Sequence, residues 1–184
     1  RGGADGPAEA ESLRVIEEEP ARLDDLARRF ATLGRPPEGP ASDVDLEELL
    51  RGLLASDVPP GIDAGLVVEP GTRTIRGHYD PLLRAFRNLL RNAVEAVQAR
   101  PGAGRIRLRL GPGANGGATV HVEDDGPGFP DGLAARIFEP DFTLKAGGTG
   151  LGLAVVQQAV AAHGGTVEAR NGPEGGALFT VRLP

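Results

Sequence analysis

Three short segments, in this order and well apart, constrain the fold of this chain more than any bulk property does. They are Asn88-Leu-Leu-Arg-Asn92, Asp124-Asp125-Gly126-Pro127-Gly128 and Gly147-Gly148-Thr149-Gly150-Leu151-Gly152-Leu153. The first lies on the best helix of the chain. Asp80 reads as its N-cap with Pro81 at the first helical position, and Leu82, Phe86, Leu89, Leu90, Ala93 and Val97 repeat at helical spacing. Asn88, Asn92 and Glu95 fall at i, i+4 and i+7 on the opposite face, so the helix must bury one side and present a polar other. The second segment ends a strand, Thr119 to Glu123, and the third opens a helix from about Gly150 to Ala162.

The remaining elements follow from the same periodicities. Asp45 to Leu54 reads as a short helix stopped by Pro59-Pro60-Gly61. Two strands, Leu66 to Val68 and Thr72 to Arg76, are expected to turn at Pro70-Gly71. Arg105 to Leu110 alternates strictly, with Ile106, Leu108 and Leu110 on one face, and Asn115-Gly116 signals a hairpin into the next strand. Thr166 to Arg170 and Ala177 to Leu183 close the chain as strands. Strands outnumber helices and hairpins make the pairing mostly antiparallel, so the fold class is a two-layer α/β sandwich with helices on one face of a mixed sheet.

Ahead of this domain, 45–184, the sequence divides into a tail (1–8), a helix (9–35) and a Pro/Gly linker (36–44). Leu13, Ile16, Pro20, Leu23, Ala27 and Phe30 follow the alternating three-and-four spacing of a seam packed lengthwise on a partner. Pro20 should kink or break it. The helix either lies on its own domain or forms half of a dimerising hairpin.

Composition excludes several classes. The 184 residues carry a net charge of −6, against general nucleic-acid binding, which needs clustered basic side chains. No apolar run reaches the roughly 20 residues of a membrane span, so no membrane contact is expected, and the absence of cysteine excludes disulfides and thiolate metal sites. A cytoplasmic location fits the lack of cysteine. Lys145 is the only lysine. With no methionine and Arg1 at its start, the chain is expected to be part of a longer protein.

The three segments carry distinct chemistry. An Asn carbonyl is a hard neutral ligand suited to Mg2+, which takes its remaining contacts from water and phosphates, although solvated asparagines on a helix face are the commoner case. Asp125 offers a carboxylate that can accept the exocyclic amino hydrogens of adenine, beside Gly126 and Gly128, which leave room for a base; Asp-Gly-Pro-Gly is also a common turn. Gly148, Thr149, Gly150, Leu151 and Gly152 lead into a helix whose first amides lack partners and whose dipole favours an anion, with Lys145 as a nearby cation. The spacing is not that of a Walker motif.

Taken in series, these segments resemble the ATP-binding catalytic domain of bacterial sensor histidine kinases, within the superfamily shared with gyrase, heat-shock chaperone and mismatch-repair ATPases. The matching stretches are Asn88 to Ala96, Asp125 to Gly128, Ile137-Phe-Glu-Pro-Asp-Phe-Thr-Leu-Lys145, Gly148 to Leu153, His163-Gly-Gly165 and Phe179 to Pro184. The resemblance implies ATP and Mg2+ as cofactors. It implies Asn92 as the metal ligand with Asn88 beside it, Asp125 on the adenine amino group, Gly126 and Gly128 around the base, and Lys145 with 148–152 on the phosphates. Asn88 and Lys145 are the candidate catalytic residues. His163 matches a structural position rather than a phosphoacceptor, and His78 and His121 read as surface residues. Residues 9–33 resemble the second helix of the dimerisation hairpin of nitrogen-regulation sensors; the first, with its His-Glu-x-x-Asn-Pro acceptor motif, is absent, since no histidine precedes His78. A response-regulator receiver domain and a homodimer are the implied partners.

Three positions depart from the pattern: Asp141 in the lid, Ala177 where a Gly-Thr pair is usual, and Glu95 where relatives often carry Lys. The segment 141–148 is expected to move without nucleotide. Two other functions remain open at this point. A gyrase- or chaperone-type ATPase needs a general-base Glu where this chain has Asn88, which cannot take a proton from water. A nucleotide-binding scaffold without transfer activity would fit Asp141, Ala177 and Pro20. An anti-sigma serine kinase fits the amino-terminal helix less well.

Overall fold

The computed structural model describes residues 39–71, 74–130, 132–134, 136–140, 142–143, 150–173 and 175–184. The expected tail and dimerisation helix, and the lid departure at Asp141, lie outside them.

The chain runs β1 (Ser42–Val44), α1 (Leu46–Asp57), β2 (Asp63–Val68), β3 (Ile75–Gly77), α2 (Tyr79–Gln98), β4 (Arg105–Pro112), β5 (Ala118–Asp124), α3 (Gly152–Ala162), β6 (Thr166–Asn171) and β7 (Ala177–Leu183). Five strands form one sheet in the order β2-β4-β5-β7-β6, antiparallel except for the parallel pair β2 and β4. The helices cover one face, which makes the two-layer sandwich that the periodicities require.

Register explains how the sheet and the helices share a core. Leu108 pairs with Val122 and Leu110 with Val120, and these in turn meet Phe179 and Val181 across β7. All are buried, as are Leu82, Phe86, Leu89, Leu90, Ala93 and Val97 on α2 and Val156 and Val160 on α3. The period of two on the strands therefore meets the period of 3.6 on the helices. Between β4 and β5, Asn115 and Gly116 both take positive φ, 54° and 87°, as the Asn-Gly signal demands.

Three local expectations change. The strands around Pro70-Gly71 do not pair with each other. Instead β2 adds to β4 in parallel from Asp63 opposite Arg105, and β3 pairs with β1, in the stretch read as linker. Turn chemistry alone cannot show this, because β1 has only three residues. Second, α2 starts at Tyr79, with His78 at the N-cap position and no side-chain capping bond, so Asp80 lies inside the first turn. There its charge still favours the helix dipole. Third, β5 extends one residue further, to Asp124, which moves the strand end relative to the following glycines.

The start of α2 is held from outside. The His163 ring, just past α3, accepts a hydrogen bond at Nε2 from the His78 backbone N–H (2.8 Å) and bonds the Ala159 carbonyl through Nδ1 (2.6 Å). A ring that accepts at Nε2 and donates at Nδ1 is neutral, with its tautomer set by these two partners. Nε2 is occupied, which fits the structural role read for His163. His121 is half-buried, with Nδ1 3.1 Å from Thr180 Oγ1.

Candidate functional site

One helix, α2, connects both poles of the site. Near its carboxyl end Ala96 meets the turn after β5: a β-carbon at Gly126 would lie 2.7 Å from Ala96 Cβ. Two turns earlier Asn88 meets the start of α3, where a β-carbon at Gly152 would lie 3.3 Å from Asn88 Oδ1. Eight residues of helix separate these contacts, about 12 Å at 1.5 Å per residue, comparable to an extended nucleotide.

At the first pole the sheet's alternation selects the carboxylate. Ala118, Val120, Val122 and Asp124 all face the helices, and Asp124 is only 4% exposed. Its Oδ1 accepts the backbone N–H groups of Gly126 (2.9 Å) and Ala177 (3.2 Å). Burial raises its pKa, the two backbone hydrogen bonds oppose that rise, and Asp125 and Glu123 add to it. Asp125, expected from the sequence to face the base, is on the opposite phase of the strand. Its Oδ1 accepts from the Arg105 N–H (2.8 Å) and its carbonyl from Arg100 Nη1, which ties it to the start of β4. The structure thus brings Asp124, not Asp125, to the inner face. The signal was present in the sequence as an unbroken alternation from Ala118 that stops at Asp124.

The turn itself is held by a distant side chain. Asn171 Oδ1 accepts the Phe129 N–H (2.7 Å) and Nδ2 donates to the Phe129 carbonyl (2.9 Å), so one side-chain amide makes both bonds of a strand partner. Gly128 has φ of 72°, and a β-carbon there would lie 2.7 Å from Asn171 Oδ1. Any other residue would be strained and would break this clamp. Phe129 packs edge-on against Phe179 (5.7 Å between centroids), as does Phe138 (6.4 Å), anchoring the loop on the core. Ala177 contributes only its backbone N–H and methyl here, without the hydroxyl a threonine would supply.

At the second pole Asn88 and Asn92 are half-buried on the face the spacing predicts, and Glu95 is exposed. Asn88 Nδ2 donates to the Arg84 carbonyl (2.9 Å), which leaves Oδ1 facing α3, 3.3 Å from Arg91 Nη2. Arg91 is a further residue of this pole that sequence reasoning missed, since nothing separates it from the other surface arginines. Among the described residues the Asn92 carboxamide makes no side-chain hydrogen bond, so its oxygen is available. No group of three or more His, Cys, Asp or Glu among the described residues could hold a metal by itself. A pair of neutral amide oxygens suits an ion that phosphates and water mostly surround, as Mg2+ is.

Gly150 (φ 65°) and the buried Leu151 lead into α3, whose N-terminus no side chain caps. Its first amides and the positive dipole end therefore lie toward Asn88 with no side-chain cap among the described residues, a setting for phosphate. Lys145, Gly148 and Thr149 lie outside the described residues.

A sandwich with a buried carboxylate at one end of a helix and a glycine-led helix terminus at the other has the form of a nucleoside triphosphate-binding domain. Residues 77–184, more than half the chain, match the family described as histidine kinase-, DNA gyrase B- and HSP90-like ATPases, and the chain belongs to that family. Within it, the similarity is to sensor kinases. The chain is 37% identical over 185 residues to the sensor histidine kinase ZraS of Klebsiella oxytoca, covering 98% of this chain and 39% of ZraS. It is 35% identical over 188 residues to the sensory histidine kinase/phosphatase NtrB of Rhodobacter capsulatus, covering 92% and 51%. The structure of full-length ShkA in complex with AMPPNP superposes with a TM-score of 0.76 at 29% identity, over 100% of this chain and 40% of that one. The chain thus carries the ATP-binding catalytic domain of the sensor histidine kinase type, and spans about half or less of the curated relatives it matches.

Proposed function

We propose that this domain binds Mg-ATP and transfers its γ-phosphoryl group to a histidine on a dimerisation hairpin, from which a response-regulator receiver domain takes it. The observation that carries the reading is the placement of Asp124 and Asn88 at the two contacts of α2. Asp124 accepts the amino group of adenine, while Gly126, Gly128 and the Asn171 clamp shape the space for the base. Asn92 holds the Mg2+, with Asn88 beside it; the ion supplies charge neutralisation to the phosphates. The amides from Gly150 to Gly152 at the entry to α3, Lys145 and Thr149 receive the phosphates, and Arg91 adds a positive charge at the γ end.

Transfer breaks the bond from the γ-phosphorus to its bridging oxygen, whose electron pair leaves on ADP, and forms a phosphorus–nitrogen bond to the imidazole. Positioning and charge compensation are what such a step needs from protein. No carboxylate stands at Asn88 to deprotonate water, which favours transfer over hydrolysis. A response-regulator receiver domain as recipient and a homodimer as the working form belong to this reading, and the lack of cysteine fits a cytoplasmic setting. No described helix is long and apolar enough to cross a membrane.

Calorimetric titration with Mg-ATP tests the site. Asp124→Asn should abolish measurable binding, and Asp125→Asn should keep the Kd within about threefold, because only a desolvated partner contributes strongly. The reverse order would return the base site to Asp125. Phosphorylation of a separately supplied histidine hairpin then tests transfer; binding without transfer would favour a nucleotide-sensing scaffold.

A further inference from the structure

The five-stranded sheet ends on two unlike edges, β6 and β2. β6 carries Glu168 and Arg170, exposed charges of the kind that blunt an edge against further pairing. β2, from Asp63 to Val68, holds no lysine, no proline and no bulge. Its Val67 is 57% exposed and, with Tyr79, makes up the exposed large apolar side chains of the described residues. Backbone direction gives this edge a fixed pattern. The amides of Asp63 and Glu69 donate to β4, at the Gly104 and Leu110 carbonyls. A strand repeats every two residues, so Gly65 and Val67 also bond β4, and the N–H and C=O groups of Ala64, Leu66 and Val68 turn outward. Among the described residues nothing bonds them. The two carboxylates that could repel an incoming strand are drawn the other way, onto β4. Asp63 pairs with Arg107 at 2.5 Å, and Glu69 lies over Gly111, where a β-carbon would be 2.6 Å from its Oε2.

Set antiparallel against itself, this strand is complementary in one register. With Leu66 opposite Leu66 of a second copy, Ala64 meets Val68 and Val68 meets Ala64, so every outward residue exchanges both of its backbone bonds across a two-fold axis. A shift either way brings in Ile62 or Pro70, both outside the strand, and Pro70 has no N–H to give. The side chains agree with the same register. On the inner face the row Ala64, Leu66 and Val68, partly buried against the core, meets an identical apolar row. On the outer face Val67 lies opposite Gly65 of the other copy, where the place of a β-carbon is open space.

We propose that β2 is a self-pairing edge, through which two copies of this domain join their sheets antiparallel about Leu66. The edge is two strands away from β5, which carries Asp124, and at the opposite side of the sheet from Asn171 on β6, so the pairing leaves the nucleotide site open. It does not depend on the phosphoryl-transfer reading. A strand of six residues covers less than the roughly 1,000 Å2 of a standing interface, so the contact is weak and forms where copies are already concentrated.

The absence of cysteine from the full chain makes the register directly readable. Gly65 and Val67 of opposite copies form a non-hydrogen-bonded pair with Cα atoms about 4.5 Å apart, inside the disulfide range. Both positions accept a cysteine without crowding, since Val67 is exposed and nothing lies near a β-carbon at Gly65. Under mild oxidation, co-expressed Gly65→Cys and Val67→Cys chains should form covalent dimers about tenfold faster than either variant alone, because a held register raises the local thiol concentration. They should also outpace Gly65→Cys co-expressed with Thr166→Cys on the β6 edge. Equal rates in all these combinations overturn the proposal, since random encounter has no register. Faster cross-linking of either variant with itself than with the other overturns the antiparallel pairing about Leu66.

Discussion

At the scale of single residues, the decisive fact is a one-position choice between two adjacent aspartates. Neighbouring side chains on a strand point to opposite faces, so Asp124 is buried among the core residues and Asp125 binds the Arg105 amide at the strand's edge. A buried carboxylate kept available for a ligand costs stability. Its pKa is raised chiefly by burial, so the folded state holds the proton more tightly than the unfolded chain. This contribution is fully favourable below the ordinary aspartate value of 3.8 and is lost as pH rises through the folded pKa. Asp124→Asn should therefore raise the thermal midpoint of the nucleotide-free protein near neutral pH while abolishing Mg-ATP binding. A lower midpoint in the mutant would show that the carboxylate is a structural group instead. Asp125→Asn, which keeps an acceptor for the Arg105 amide, should change neither property appreciably.

At the scale of elements, α2 does most of the positioning, and two side chains from elsewhere hold what it touches. His163 fastens the start of α2 to the end of α3 through the His78 N–H and the Ala159 carbonyl. A β-carbon at Gly77 would lie 2.7 Å from the His163 ring, so this contact is already tight. His163→Phe should cost about 1–3 kcal/mol in denaturant unfolding, the range for leaving a partly buried polar group unpaired. Asn171 fastens β6 to the glycine turn. Asn171→Ala should leave the fold intact, with a loss of about 1 kcal/mol or less for exposed bonds, yet weaken Mg-ATP binding severalfold by loosening the turn. Equal affinity for parent and mutant would mean the turn holds its shape without the clamp. Neither clamp was legible in the sequence, because each joins residues far apart in the chain. The helix periods and the closing strand Ala177–Leu183 were legible, since repeating apolar positions are local information.

At the scale of the whole molecule, the sheet has one face under the helices and one facing away, and its pH response comes from both. His121 lies on the outer face, paired with Thr180 and surrounded by Arg109, Arg182 and Arg170, with Glu69 as the opposing charge. Burial first, and then the arginines, lower its pKa below the ordinary 6.5. A depressed histidine stabilises the fold above the unfolded value and loses that contribution as pH falls through the folded one. The thermal midpoint should thus drop as pH falls below the ordinary 6.5, and His121→Gln, which keeps a partner for Thr180, should flatten that drop. An identical slope in the mutant would assign the loss to other groups.

The element types, the antiparallel character of most of the sheet, the polar face of α2 and the family can all be read from the order of residues alone. Each of these rests on a local period, or on a motif a few residues long. Tertiary contacts alone set β2 beside β4 in parallel and β3 beside β1, and the hold of Asn171 and His163 on the turn and the helix start, whereas the inward phase of Asp124 follows from the alternation that starts at Ala118. The same contacts pair Arg87 on α2 with Asp57 at the end of α1. The physical reason is the same throughout: strand pairing, burial and charge compensation depend on which distant segments meet, and register converts a shift of one residue into a change of face.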